Sequence, residues 1–292
     1  MLATSQTDRV PVRVLDDRVL ALTRLVAIVV PPFLLVAFGI LYVAHPLAAD
    51  LFAWAIKPQL TAMLLGSAYI GGVVFFLSSL ALRSFHRFAL GLPAVATFAS
   101  LLLLTTALHF GQFLLDRPAG LVWTLIYIVA PPLVIVASLL NQRVDPGAGP
   151  HDPLVPAAVV RLLLAGGGAA MALALALYLV PSAFTGVWPW KLTELSARVL
   201  APMLCLPGVV ALGIARDRRR SAIRQPMVAQ AVALVAMAGA FWMRSEDMTG
   251  PAASVAIAWI VIAGSLAGSL ALAIAFGRAR PVAPALEPQA GA

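Results

Sequence analysis

The 292-residue chain contains one cysteine, Cys205, which sits inside an apolar run. No intramolecular disulfide, Cys-x-x-Cys redox pair or thiolate-rich metal site can therefore form. Charge is scarce as well: Asp, Glu, Lys and Arg make up 11% of the residues, against about 25% in soluble domains. No Asp or Glu lies in the central third of any long apolar run. Buried carboxylates are the usual proton- or sodium-coupling groups of transporters, so transport coupled in that way is disfavoured. Walker A, His-Glu-x-x-His and Gly-x-Ser-x-Gly patterns are missing, which removes the common ATPase, zinc-protease and serine-hydrolase readings.

What the chain has in abundance is apolar sequence, 62% of its residues with a mean hydropathy of +0.97. Runs long enough to span a bilayer, or nearly so, read Leu25 to Ala44, Leu60 to Leu82, Phe88 to Leu108, Leu121 to Leu140, Leu162 to Val180, Val199 to Ala215, Met227 to Met243 and Ala252 to Phe276. A hydrocarbon layer of roughly 30 Å accommodates each as one helix. The expected fold is thus an all-α, polytopic transmembrane helix bundle of eight spans. The sixth and seventh runs are the shortest, and both can be lengthened by a few outer-side residues. The first run is too long for a secretory signal peptide and lacks a small-residue cleavage site, so it should remain as the first membrane helix.

Of the 20 Lys and Arg, 15 fall on the side of the N-terminus and five on the other, namely Lys57, Arg117, Lys191, Arg198 and Arg244. The positive-inside bias then places both termini in the cytoplasm of a bacterium, with the chain in its plasma (inner) membrane. The arginine clusters act as topology determinants, and nucleic acid is not an expected partner.

The two halves of the chain repeat one another. Arg24 matches Arg161, Tyr42 and Pro46 match Tyr178 and Pro181, and Trp54 matches Trp188 or Trp190. Thr61-Ala62 aligns with Ser196-Ala197, Gly72-Val73-Val74 with Gly208-Val209-Val210, and Tyr127 with Trp259. An even number of spans per half gives both halves the same orientation, so a parallel repeat is expected. The resulting division has a cytoplasmic segment over 1–20, a first four-helix half over 21–142 and a cytoplasmic linker over 143–158. A second four-helix half covers 159–278, and a disordered Pro- and Ala-rich tail covers 279–292. Pro31-Pro32, Pro93, Pro131-Pro132, Pro202 and Pro207 fall in or near helix interiors, where they should kink the axis. Gly166-Gly167-Gly168 reads as a place of close helix approach.

All six tryptophans fall at the outer interface or in the outer half of a span. A belt that only anchors helices appears at both interfaces, so this one-sided layer points to a site on the outer face, although anchoring alone is the leading reading because amphipathic rings settle at headgroup depth without any ligand. Its densest motif runs from Trp188 to Arg198. Thr193 is a natural N-cap there, Glu194 favours the positive helix start, and Arg198 follows four residues later on the same face, where the two can pair. The matched segment of the first half carries Trp54 and Lys57 but lacks the Glu and Arg. Trp54, Lys57, Trp188, Trp190, Lys191, Glu194 and Arg198, with His109, are therefore the candidate ligand-binding residues. The lysines and arginine suit an anionic lipid headgroup, whereas a purely structural role would have them snorkel to the interface.

The Trp-Pro-Trp-x-Leu-Thr run from Trp188 to Thr193, followed by Arg198, joins the earlier stretch from Thr61 to Gly72 in a resemblance. Together they resemble actinobacterial-type multi-pass integral membrane proteins with no assigned activity. The resemblance implies a bacterial membrane protein and transfers no catalytic residue. His45 and His109 stand at outer span ends and could together ligate haem iron or a metal. In span count and four-helix halves the chain is similar to haem A synthase, but the paired cysteines and the repeated helix histidines of that enzyme are absent. Solvated interfacial histidines are the expectation, His86 and His151 read as ordinary loop residues, and no cofactor or metal is expected.

The leading function is binding, transport or assembly of an amphiphile or partner protein at the outer-facing site. One alternative is a membrane enzyme or haem-binding protein with a lipid-like substrate, for which His109, Asp116, Glu194 and Asp247 are the outer groups suited to acid–base or ligand roles. A structural subunit of a larger membrane complex is the other.

Overall fold

The computed structural model describes residues 16–149 and 152–277. Most of the N-terminal segment, His151 and the tail expected to be disordered lie outside them. Among the described residues, eight helices are long and apolar enough to cross a membrane, which makes the chain a multi-pass integral membrane protein. They are α1 (Ala21–Phe38, continued by a π-helical turn over Gly39–Val43), α2 (Gln59–Ala81), α3 (Gly91–Leu108), α4 (Pro118–Gln142), α5 (Ala157–Leu179), α6 (Glu194–Arg216), α7 (Arg220–Met243) and α8 (Ala252–Gly277). A short helix, His86–Ala89, leads into α3.

Local signals set the boundaries. Pro118 opens α4 at its first position, where the missing N–H costs nothing. Thr193 caps α6, its hydroxyl accepting from the Ser196 amide at 3.1 Å. The sixth span lengthens at the aromatic end, back to Glu194, as expected. The seventh instead lengthens at the arginine-rich end, back to Arg220, because Pro226 lies early in α7 and the side chains there find partners. Gln225, for example, donates to the Phe75 carbonyl at 2.7 Å. Pro31, Pro32, Pro131, Pro132, Pro202 and Pro207 lie inside helices, whereas Pro93 sits in the first turn of α3, where it removes no helical bond.

Within each set of four, first packs on second and third on fourth: α1 with α2, α3 with α4, α5 with α6, α7 with α8. Across the seam, α2 packs on α7 and α3 on α6. Exchanging the two sets leaves this scheme unchanged. The outer members of each set keep most of their surface free for lipid, with 17% of the spanning stretch of α8 buried against 72% for α2. Backbone contacts at the arginine-rich end correspond too: Arg18 bridges to Ser84, and Leu154 bridges to Arg219.

Small residues set the close crossings. A side chain on Gly167 of α5 would meet Ala211 and the Pro207 carbonyl of α6 at 2.9 Å, and Gly208 faces it from the other side. Gly166 and Gly168 face open space, so one glycine of the triplet makes the crossing. Several buried polar groups are tied off: Asn141 receives the Leu20 amide and Thr23 hydroxyl and donates to the Arg18 carbonyl, pinning the end of α4 to the start of α1. Arg219, 4% exposed, is held by Asp145 and Asp217 at 2.7 and 2.6 Å, which clasps the linker to α7. Burial disfavours the Arg219 charge, but the bonds to Asp217 and Asp145 outweigh it and raise its pKa.

Candidate functional site

At the aromatic end, two loops of matching design meet at the seam. In the first, Trp54 and Ile56 are buried while Ala55 and Lys57 are exposed; in the second, Trp190 and Leu192 are buried while Lys191 and Thr193 are exposed. This is the period-two alternation of extended chain, with the aromatic ring anchored inward so that the lysine stands outward. Between the loops lies a cavity of about 630 Å³, lined among others by His45, Lys57, Gln59, Lys191, Arg244 and Asp247. It is half open to its surroundings rather than enclosed.

The electrostatics are uneven. Arg244 is paired with Glu246 at 2.9 Å and with Asp247 at 3.2 Å, and its bond to Asp247 holds its pKa above the ordinary value. Asp247 also accepts the Leu60 amide at 2.9 Å, capping α2 from the other half of the chain. Lys57 and Lys191 make no ion pair among the described residues. The cavity therefore holds three cationic side chains against one carboxylate. The side-chain oxygen of Gln59 is buried and has no hydrogen-bond partner among the described residues.

The eight candidate residues divide into three places. Lys57 and Lys191 line the cavity. Trp54 is 3% exposed and packs edge-on against Trp123 at 5.0 Å, and Trp190 is 4% exposed, packs on Trp188 at 5.5 Å and donates to the Thr61 hydroxyl. Trp54 and Trp190 are thus core residues that hold the loops from behind, and Trp188 is half-buried against its neighbour. His109, Glu194 and Arg198 form a separate group. Arg198 donates to His109 Nε2 at 2.8 Å and to the Tyr178 carbonyl at 3.1 Å, with Glu194 Oε2 at 3.3 Å. Burial, and then the Arg198 guanidinium, push the His109 pKa down, against an opposing pull from Glu194. His109 therefore accepts from Arg198 as a neutral ring, while His45 sits at the cavity, so the two histidines belong to different groups. No group of three or more metal-ligating side chains occurs among the described residues.

Gln59 and Arg244 are not singled out by the sequence; Asp247 is named there only for the enzyme alternative, and His45 only as a haem or metal ligand. Arg244 carried one signal, being among the five outer-side positive charges. What brings it to Lys57 is the α2–α7 contact, which no local pattern announces. No protein-family model, curated protein or solved structure matches the chain.

Proposed function

We propose that this integral membrane protein binds the anionic headgroup of an amphiphile in the seam cavity, with the aromatic end facing outward from a bacterial inner membrane. The observation that carries the reading is the pair of unpaired lysines, Lys57 and Lys191, delivered to one cavity from the two halves. A headgroup phosphate supplies the charge they lack. The exposed ring of Trp242 at the same end suits the headgroup layer in which such a ligand resides. The charge balance supports binding, as a first step of transport or assembly, over a purely structural role, because lysines that only snorkel have no need to converge on a cavity.

Native mass spectrometry of the detergent-extracted protein tests this. Phosphatidylglycerol should be retained in preference to phosphatidylcholine, and the double change Lys57→Ala with Lys191→Ala should abolish the preference. Equal retention of both lipids by the unaltered protein contradicts the reading.

A further inference from the structure

At the opposite, arginine-rich end, His86 and Ser221 occupy matching places: each lies at the start of the third span of its half, beside the matching bridges Arg18–Ser84 and Leu154–Arg219. The two meet across the seam, His86 Nε2 lying 2.9 Å from Ser221 Oγ. The chain beside them breaks the match. Phe85 donates its amide to the carbonyl of Asp17 in one half, and Arg220 donates its amide to that of Pro153 in the other. Only the first of these places carries a carboxylate, and Asp17 Oδ2 lies 2.5 Å from His86 Nδ1.

Asp17 is over-determined. Its φ of 54° is in the left-handed region, its amide donates to Val144, its carbonyl accepts from Phe85, and its Oδ1 accepts the His86 amide. Such backbone persists where its surroundings hold it, as at sites built to orient a group. With Nδ1–H donating to Asp17, His86 Nε2 is left to accept the Ser221 hydroxyl. Carboxylate, imidazole and hydroxyl then stand in the order and within the reach of a nucleophile activated by an oriented base, a constellation recognised by geometry rather than by sequence position. Asp17 and His86 are 17% and 16% exposed in their side chains, and Ser221 is likewise half-buried, so the array sits just below the surface at this end. The Ser221 amide, in the first turn of α7, has no partner among the described residues and can serve as an oxyanion donor. Arg87, beside His86, and Arg224, one turn beyond Ser221, are exposed and make no ion pair among the described residues, giving the site a basic rim at the membrane surface.

The geometry points to Ser221 as the nucleophile of an ester-hydrolysing site that acts on an anionic acyl amphiphile in the leaflet at the arginine-rich end, with His86 as base and Asp17 as its orienting partner. Ser221 Oγ adds to the ester carbonyl carbon as its proton passes to His86 Nε2. The ester C–O bond then breaks, the leaving alkoxide takes that proton, and an acyl-serine remains. Water attacks the acyl-serine, gives a proton to His86, and releases the carboxylic acid as Ser221 recovers its hydrogen.

The full chain in nanodiscs is treated with a fluorophosphonate probe, and the labelled peptide is identified. Label should appear on Ser221, vanish in Ser221→Ala, and form at least about 100-fold more slowly in His86→Gln and Asp17→Asn. Absence of label on the folded, unaltered protein, or label elsewhere that survives Ser221→Ala, overturns the site; because the peptide is mapped on the unaltered chain, this holds even if the His86 and Asp17 variants fail to fold. In a second arm, fatty acid should be released from dioleoylphosphatidylglycerol vesicles at least about 10-fold faster than from dioleoylphosphatidylcholine vesicles. Labelling with no release, or with equal release from both, overturns the anionic amphiphile as substrate.

Discussion

Tyr42 and Tyr178, 136 positions apart, make the same hydrogen bond in opposite directions across the seam. Tyr42 donates to the Ala236 carbonyl of α7 at 2.9 Å, and Tyr178 donates to the Leu101 carbonyl of α3 at 3.0 Å. Each ring thus ties its own half to the third span of the other. Tyr42→Phe and Tyr178→Phe should each lower stability in detergent by about 0.5–1.5 kcal/mol, with nearly additive effects because the two bonds share no partner. Thermal unfolding of the three variants checks this, and a double change no worse than either single one contradicts it.

The group around Arg198 was only partly legible in the sequence. The i, i+4 spacing and the cap at Thr193 announced the Glu194–Arg198 pair, and it forms. What spacing cannot announce is that Arg198 also reaches the Tyr178 carbonyl on α5 and His109 just past the end of α3. Those contacts set the order of damage. Glu194 is 57% exposed, and so exposed a pair contributes about 0–1 kcal/mol. Arg198→Ala strips donors from two further acceptors, at about 1–3 kcal/mol. Arg198→Ala should therefore lower the melting temperature clearly more than Glu194→Ala, and the reverse order contradicts this arrangement.

His109 makes the same group sensitive to pH. Its pKa is depressed in the folded protein, so the unfolded chain binds the proton more readily. Stability is then complete above the unfolded value of about 6.5 and declines as pH falls from there toward the folded value. A pH series of melting temperatures should show this decline, and His109→Gln should flatten it. A melting temperature that rises on acidification through this window contradicts the assignment.

Fold class, span number and the pairing of Tyr42 with Tyr178 were readable because hydropathy and repeated residues are written along the chain. The cavity was not, since Lys57, Lys191 and Arg244 converge only through the contacts of α2 with α7. Trp54 and Trp190 misled for a related reason: an interfacial tryptophan and a core tryptophan at the end of a span share one sequence signature. The Asp17–His86–Ser221 array was hidden by distance, its members coming from three segments with no common motif.

The proposed orientation rests on the arginine distribution and can be checked at exposed positions. With Cys205 replaced by Ser, Thr185→Cys should react with a membrane-impermeant maleimide in intact spheroplasts, and Gly149→Cys should react only after lysis. The opposite pattern would reverse the assignment of the two ends.

The central claim, that the seam cavity recognises an anionic headgroup, is tested most directly by calorimetric titration of the purified protein with monomeric dihexanoyl-phosphatidylglycerol. Saturable binding is predicted, weakened at least about 10-fold by Lys57→Ala with Lys191→Ala through the loss of two charge-assisted contacts, with no comparable binding of dihexanoyl-phosphatidylcholine. Equal affinity for the two lipids, or an affinity for the anionic one that the double change leaves intact, would contradict it.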